Sequence, residues 1–193
     1  MHETSWIIER NLWNADHVIA DIDAIRQCNS QRFEMEQLTA VIYEDTDRHV
    51  CLGYKDLAMD EFWVRGQMPH APVMPGPLMC EAAAQLANYY AVKHRLYASP
   101  GVFVDLKDVR YRGIACPGER LFIMAKLLKI RGAVLTCRFQ CAVRERLVCD
   151  GVLIGGVSSC SAVQRRQQQL GDFGYLEPGE CKGADAILRA GSK

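Results

Sequence analysis

Residues 65–85 read RGQMPHAPVMPGPLMCEAAAQ, and this stretch carries the strongest structural signal in the chain. Prolines recur at every third position, at Pro69, Pro72 and Pro75, and Pro-Gly-Pro then opens an apolar run that contains a single carboxylate, Glu81. Proline suits the first turn of a helix, where its missing N–H would have no partner in any case. The pattern therefore predicts a proline-bounded approach that leads directly into a helix.

The helix predicted from this run extends from Pro77 to about position 97 and is the one long helix of the domain. The run is too long for a strand and is rich in Ala and Leu, which favour helix. Before it, LTAVIYEDTDRHVCLGYKDL at positions 38–57 predicts a hairpin, because two β-rich arms flank the polar turn EDTDR. After it, the stretches at 101–112, 120–130 and 133–157 predict three or four strands, since the last is long enough for two.

An uninterrupted helix flanked by antiparallel strands predicts an α+β fold, in which one curled antiparallel sheet wraps around a central helix. We assign this single domain to residues 37–157. Residues 1–36 precede it as a helical lead-in with apolar residues at helical spacing. Those apolar residues are Val18, Ile22 and Ile25. Residues 158–193 are polar and contain glycine, so we expect a flexible, solvated C-terminal extension.

Composition excludes several classes of function. Lys plus Arg equals Asp plus Glu at 23 each, so no global basic field attracts nucleic acid. No run of apolar residues is long enough for a membrane span. The nine cysteines are scattered without the paired spacings of a zinc site, which favours a reduced, cytoplasmic protein. Nothing in the sequence requires a metal or a redox cofactor, and we expect Cys80, Cys137 and Cys141 to be core residues.

The proline-rich stretch resembles the active-site signature of the bacterial 3-hydroxyacyl-acyl-carrier-protein dehydratases, the FabA/FabZ group of hotdog-fold enzymes. That signature reads Gly-His-Phe-Pro-Gly, one variable residue, Pro, two more residues and Pro-Gly, followed after four residues by Glu and Ala-x-Ala-Gln. The matching positions are Gly66, Pro69, Pro72, Pro75, Gly76, Glu81, Ala82, Ala84 and Gln85. A second stretch, FVDLKDVRYRGIACPGERL, resembles the family's strand that runs into Arg-Phe and then Pro-Gly-Asp.

This resemblance implies a hotdog homodimer, or a higher homo-oligomer, of fatty-acid or lipid biosynthesis. Its members eliminate water from 3-hydroxyacyl thioesters of acyl carrier protein, or of coenzyme A, to give trans-2-enoyl thioesters. In the family a His removes the proton beside the thioester carbonyl, and a Glu from the partner subunit assists the departure of the hydroxyl group. Backbone N–H groups at the start of the helix hold the thioester oxygen. The substrate-binding positions implied here are Pro75, Gly76, Leu78 and Gln85.

The chain departs from the family pattern at the position of the catalytic base. Gln67 stands where the family has His, Met68 where it has Phe, and His70 where it has Gly. An amide cannot accept a proton near neutral pH, and a lost general base costs about 10²–10⁴ in rate. Gln67 can still hold a substrate hydroxyl or a water, and His70 is the candidate for a relocated base. We therefore predict Glu81, Gln67 and His70 as the catalytic positions.

Three functions stay open at this point. The first is an active dehydratase or hydratase with Glu81 essential. The second is an acyl-thioester-binding or partner subunit that has lost the reaction and pairs with an intact dehydratase. The third is a hotdog thioesterase, in which Glu81 would activate water and the helix start at Gly76 would polarise the carbonyl group.

Two groups of side chains can be interpreted either as functional or as structural. The first group consists of apolar and aromatic side chains of the predicted helix, which either line an acyl tunnel or pack the helix on the sheet, and we favour packing. It comprises Met79, Leu86, Tyr89 and Tyr90. The second group is basic and would receive acyl carrier protein or coenzyme A phosphates if it clustered, and otherwise forms a solvated strand face. It comprises Arg110, Arg112, Arg120, Lys126, Lys129 and Arg131.

Overall fold

The computed structural model describes residues 5–96, 102–132 and 134–156. The predicted C-terminal extension over residues 158–193 lies outside the described residues, as does the end of the predicted central helix beyond position 96.

One sheet and one long helix make up the domain. The helices are α1 at Ile22–Cys28 and α2 at Gly76–Lys93, and 3-10 turns lie at Arg10–Leu12 and Phe33–Met35. The strands are β1 Ala40–Asp45, β2 Val50–Asp56, β3 Val102–Tyr111, β4 Arg120–Arg131, β5 Val134–Val143 and β6 Arg146–Gly156. All pairs of neighbouring strands are antiparallel, in the order β1-β2-β4-β5-β6-β3. The predicted hairpin, the later strands and the α+β class are confirmed.

Helix α2 packs closely on the inner face of the sheet. At Gly53 of β2, a Cβ atom would lie 2.8 Å from the Ala40 carbonyl oxygen and 3.2 Å from a methyl carbon of Leu86, so glycine permits this approach. The four side chains proposed for a tunnel or for packing, Met79, Leu86, Tyr89 and Tyr90, are at most 2% exposed. They belong to the main core cluster, as do Cys80, Cys137 and Cys141. The packing interpretation is therefore the one that the structure supports.

The C-terminal end of α2 is fastened to the β1–β2 hairpin. Glu44 accepts hydrogen bonds from Lys93 Nζ at 3.0 Å and lies 3.0 Å from His94 Nε2. The polar turn of the hairpin is held by the Asp45 carboxylate, which accepts from the backbone N–H groups of Asp47 and Arg48. The contacts of Glu44 with Lys93 and His94 hold the end of the helix that lies opposite to Pro-Gly-Pro. None of the described helices is long and apolar enough to cross a membrane.

The lead-in is less helical than the sequence predicts. Val18 lies outside α1 and is 47% exposed, so the assignment of Val18 to the helical pattern was wrong. The physical reason is a β-bridge between Ala20 and Val41, which takes the backbone of this segment into the sheet. The helix begins only after Asp21, whose carboxylate caps it by accepting from the Ala24 N–H at 2.9 Å.

The first residues of the lead-in cover the outer face of the sheet, opposite α2. Ile8 is fully buried there in a second apolar cluster, against which Trp6 and Trp13 pack. The Gln140 side chain of β5 fixes this segment by accepting from the Ile7 N–H at 2.8 Å and donating to the Ser5 carbonyl at 3.0 Å. The sheet is therefore covered on both faces, by α2 on one side and by the lead-in on the other.

We predict that this outer cover is part of the cooperative fold. Ile8→Ala should lower the free energy of unfolding by about 2–5 kcal/mol, because it leaves a cavity at a fully buried position. The matched control is Ile19→Ala, since Ile19 lies in the same lead-in but is 36% exposed, and a change of about 0.5 kcal/mol is expected. Urea unfolding of both variants measures the difference. Equal, small effects at both positions would show that the outer cover is not part of the core.

Candidate functional site

The start of α2 presents a free backbone donor at Gly76. Pro75 occupies the N-cap position, and Pro77 has no N–H to offer. The Leu78 N–H already donates to the Pro75 carbonyl at 3.0 Å. Among the described residues, the Gly76 N–H makes no hydrogen bond. The helix thus begins one residue earlier than predicted, and Gly76 supplies the donor that points away from the helix into its approach.

The approach to the helix is anchored to the sheet. The Met74 N–H donates to the Ala115 carbonyl in the connection between β3 and β4, at 2.8 Å. This backbone hydrogen bond places the Pro-Gly-Pro segment beside the end of β3. The helix start and β3 therefore form two walls of the same site.

Glu81 lies in the second turn of α2 and is held by two amide side chains. Its Oε1 atom accepts from Gln31 Nε2 at 3.0 Å and from Gln85 Nε2 at 2.8 Å. The Glu81 side chain is half-buried, and its Oε2 atom accepts no hydrogen bond within the described part of the chain. One carboxylate oxygen is thus fixed in position, whereas the other is available to bind or transfer a proton.

Gln85 connects Glu81 to the lead-in. Gln85 is only 2% exposed, and its Oε1 atom accepts from the Gln37 N–H at 2.9 Å. Its Nε2 atom donates to the Met35 carbonyl at 2.7 Å as well as to Glu81. Every polar atom of the Gln85 side chain therefore has a protein partner. This geometry orients the carboxylate of Glu81.

Gln31 was missed by the sequence analysis. It follows α1 in a turn that is fixed on both sides, because Arg32 Nη1 donates to the Asn29 carbonyl at 2.8 Å and Asn29 Nδ2 donates to the Gln85 carbonyl at 3.0 Å. A glutamine in a loop gives no sequence signal of its own, and the contact with Glu81 joins residues fifty positions apart. Only the packing of the lead-in against α2 brings this side chain to the carboxylate.

Gln67 and His70 lie in a separate loop. The Gln67 N–H donates to the Trp63 carbonyl at 2.7 Å, and the Ala71 N–H donates to the Met68 carbonyl at 2.8 Å. Met68 between them has φ of 55°, a left-handed conformation that costs energy for a residue other than glycine. His70 is exposed, and within the described residues no hydrogen bond or ion pair joins Gln67 or His70 to Glu81. One copy of the chain does not bring the three predicted catalytic side chains into direct contact.

Tyr111, at the end of β3, is a further side chain of the site. Its ring packs on the Cα atom of Gly76 so closely that a Cβ atom there would lie 2.5 Å from Tyr111 Cε1. Its hydroxyl group lies 3.6 Å from the sulfur atom of Cys80 in α2. A hydrogen bond with the thiol of Cys149 in turn lowers the pKa of Cys80, and the same contact together with burial raises the pKa of Cys149. A side chain at position 76 would therefore collide with the Tyr111 ring, and glycine leaves the room that the ring occupies.

Two of the six basic side chains are paired with carboxylates. Arg112 pairs with Asp150, and Arg120 pairs with Asp56. Their charges are therefore neutralised locally by partners on neighbouring strands. Among the described residues, no group of three or more His, Cys, Asp or Glu side chains is arranged to hold a metal ion.

Comparison with curated proteins gives relatives that extend over most of the chain. A 3-hydroxyacyl-[acyl-carrier-protein] dehydratase FabZ from Streptococcus gordonii is 30% identical over 134 residues, which cover 69% of this chain and 94% of the relative. The protein of the same name from Clostridium beijerinckii is 26% identical over 136 residues, which cover 69% of this chain and 96% of the relative.

Solved structures share the fold at lower identity. A chain of the dehydratase heterocomplex ApeI:P from Xenorhabdus doucetiae aligns with a TM-score of 0.59 and 17% identity, over 74% of this chain and 96% of that chain. Zebra fish thioesterase superfamily member 2 aligns with a TM-score of 0.54 and 15% identity, over 70% of this chain and 94% of that chain. At such identities the likeness concerns the hotdog fold alone.

The sequence profile of the FabA-like domain matches residues 29–155. This range contains the helix start, Glu81 with both of its amide partners, the Gln67 loop and β3 with Tyr111. It therefore takes in the described site as well as the sheet, and the resemblance to the FabA/FabZ group is confirmed. The chain belongs to the family of FabA-like domains.

Proposed function

We propose that this chain is a dehydratase of 3-hydroxyacyl thioesters, acting on acyl groups carried by acyl carrier protein or by coenzyme A. The observation that carries the proposal is the arrangement at the start of α2. Gly76 offers a free N–H group there, and Glu81 lies one turn further on with one oxygen fixed by Gln31 and Gln85. Relatives named as 3-hydroxyacyl-acyl-carrier-protein dehydratases match this chain over nearly their whole length.

The chemistry follows from what these groups can donate and accept. The Gly76 N–H, at the positive end of the helix, binds the thioester oxygen and stabilises the negative charge that develops there when the C2 proton leaves. The electrons of the C2–H bond form the C2–C3 double bond as the C3–O bond breaks. Glu81, through its free Oε2 atom, gives a proton to the departing hydroxyl group, which leaves as water.

The C2 proton requires a base that Gln67 cannot provide. We propose that either His70 or a water held by Gln67 takes this role. Both residues lie in a loop without direct contact to Glu81 of the same chain, which supports a site completed by a second copy. Strand β3 pairs only with β6 in the described sheet, so its other edge is free to continue into a partner's sheet. We therefore infer a homodimer joined at this edge.

A second candidate function is an acyl-thioester-binding subunit that pairs with an intact dehydratase. The observation that favours it is Gln67, which stands in an ordered loop at the position of the family's catalytic His but cannot accept a proton. The solved dehydratase heterocomplex is consistent with pairing between two such chains in another system. We also infer a cytoplasmic location, since the seven described cysteines are free thiols.

We predict that Glu81→Gln lowers dehydration by about 10²–10⁴-fold, because the amide has the shape of the carboxylate but cannot transfer the proton. Turnover is followed as enoyl-thioester absorbance from 3-hydroxyacyl substrates. The matched control is Glu34→Gln, an exposed carboxylate in the 3-10 turn of the lead-in, which should keep full activity. The dehydratase proposal would be contradicted if wild type instead released free thiol from acyl thioesters and Glu81→Gln abolished that release. Such a result would identify the protein as a thioesterase.

We predict opposite outcomes for the two candidate sources of the base. If His70 takes the C2 proton, His70→Ala should reduce turnover by about 10²–10⁴-fold. If a water held by Gln67 takes it, His70→Ala should be nearly silent and Gln67→Ala should reduce turnover. Wild-type protein without turnover, together with activity in Gln67→His, would contradict both and establish the binding-subunit function.

A further inference from the structure

Tyr111 is an element of the site to which the proposed dehydratase reaction assigns no task. It is the last residue of β3, its side chain is 54% exposed, and its ring lies on the Cα atom of Gly76. The ring is therefore in contact with the residue that bears a free N–H group at the start of α2.

The ring is fixed at both ends. The backbone of Tyr111 pairs with Cys149 in the β3–β6 ladder. The hydroxyl group lies 3.6 Å from Cys80 Sγ. Cys80 itself is only 2% exposed and belongs to the core, so it is a rigid anchor for the hydroxyl group. Tyr111 is thus an exposed aromatic wall whose rotation is restrained by a buried thiol.

This wall limits the space beside a bound carbonyl group. A carbonyl oxygen bound to the Gly76 N–H lies about 2.9 Å from the nitrogen atom. The ring lies against the Cα atom bonded to that nitrogen, so we infer that the carbonyl carbon and its two substituents approach the ring. One substituent of a thioester is sulfur, which carries no branch. Only C2 can bring extra bulk next to the carbonyl, as a methyl group in place of one hydrogen.

We propose that Tyr111 is a specificity-determining residue of this site, which admits 3-hydroxyacyl groups with an unbranched C2 and excludes those with a methyl branch at C2. This inference rests on the proposed function, because it takes the thioester carbonyl to be the ligand of Gly76. Cys80 acts as a positioning residue, since it holds the ring against Gly76 through the tyrosine hydroxyl group.

The test uses binding, so that it does not depend on turnover. Two pantetheine amides, with NH in place of the thioester sulfur, carry 3-hydroxybutyryl and 2-methyl-3-hydroxybutyryl groups. Each is titrated calorimetrically into wild type and Tyr111→Ala. We expect wild type to bind the unbranched analogue about tenfold or more tightly than the branched one, and Tyr111→Ala to reduce this ratio to about twofold or less.

Two further variants separate the wall from general damage. Tyr43→Ala removes the same atoms from a residue that packs on the outer cluster, on the opposite side of the sheet, and should keep the wild-type ratio. Cys80→Ala keeps the ring but removes its anchor, and should give an intermediate ratio. Thermal unfolding of all variants verifies that each is folded.

The possible results distinguish the two proposals. If the analogues bind but Tyr111→Ala keeps the wild-type ratio, or if wild type binds both analogues equally, the specificity role of Tyr111 is overturned while the thioester site stands. If neither analogue binds to any folded variant, the thioester site is rejected and the role of Tyr111 with it.

Discussion

The close packing of α2 on the curled sheet is the constraint on which the rest of the structure depends. The helix can approach β2 because Gly53 has no side chain to separate the Ala40 carbonyl from Leu86. Its far end is held by Glu44 on the hairpin, and its near end meets the ring of Tyr111 at Gly76. A helix fastened at both ends and buried along its length cannot shift along its axis. The free N–H group of Gly76 and the carboxylate of Glu81 are therefore held at fixed positions relative to each other.

The lead-in has two roles that follow from this arrangement. Its first residues cover the outer face of the sheet, where Ile8 is buried. Its later residues bring Gln31 and the backbone of Met35 and Gln37 to the side of α2 that carries Gln85. Because Gln85 is buried and each of its polar atoms is bonded, breaking one of these contacts would leave an unsatisfied polar group in the interior. The hydrogen bonds of Gln85 that orient Glu81 therefore also stabilise the fold.

The regular elements could be predicted because their signals are local. Pro-Gly-Pro followed by an Ala- and Leu-rich run specified α2 to within a residue at its start, and the EDTDR turn specified the hairpin. Val18 has the spacing of a helical residue, but its assignment to a helix was wrong. The residues that follow it pair with Val41 of β1 instead of continuing a helix. Such a bridge joins residues about twenty positions apart, and periodicity within one segment contains no information about it.

By itself the sequence determined the fold class, the position of the helix and the presence of a single carboxylate in it, since each depends on residues that are near one another along the chain. It also determined that position 67 cannot provide a base, because that is a property of the amide group alone. Only the tertiary structure decided which side chains surround Glu81, that the Gly76 N–H is free and which ring lies against Gly76. Gln31 and Tyr111 come from the lead-in and from β3, and they reach α2 only when the sheet has curled around the helix. The physical reason is that hydrogen bonding and close packing depend on distance in space, which the order of residues does not specify.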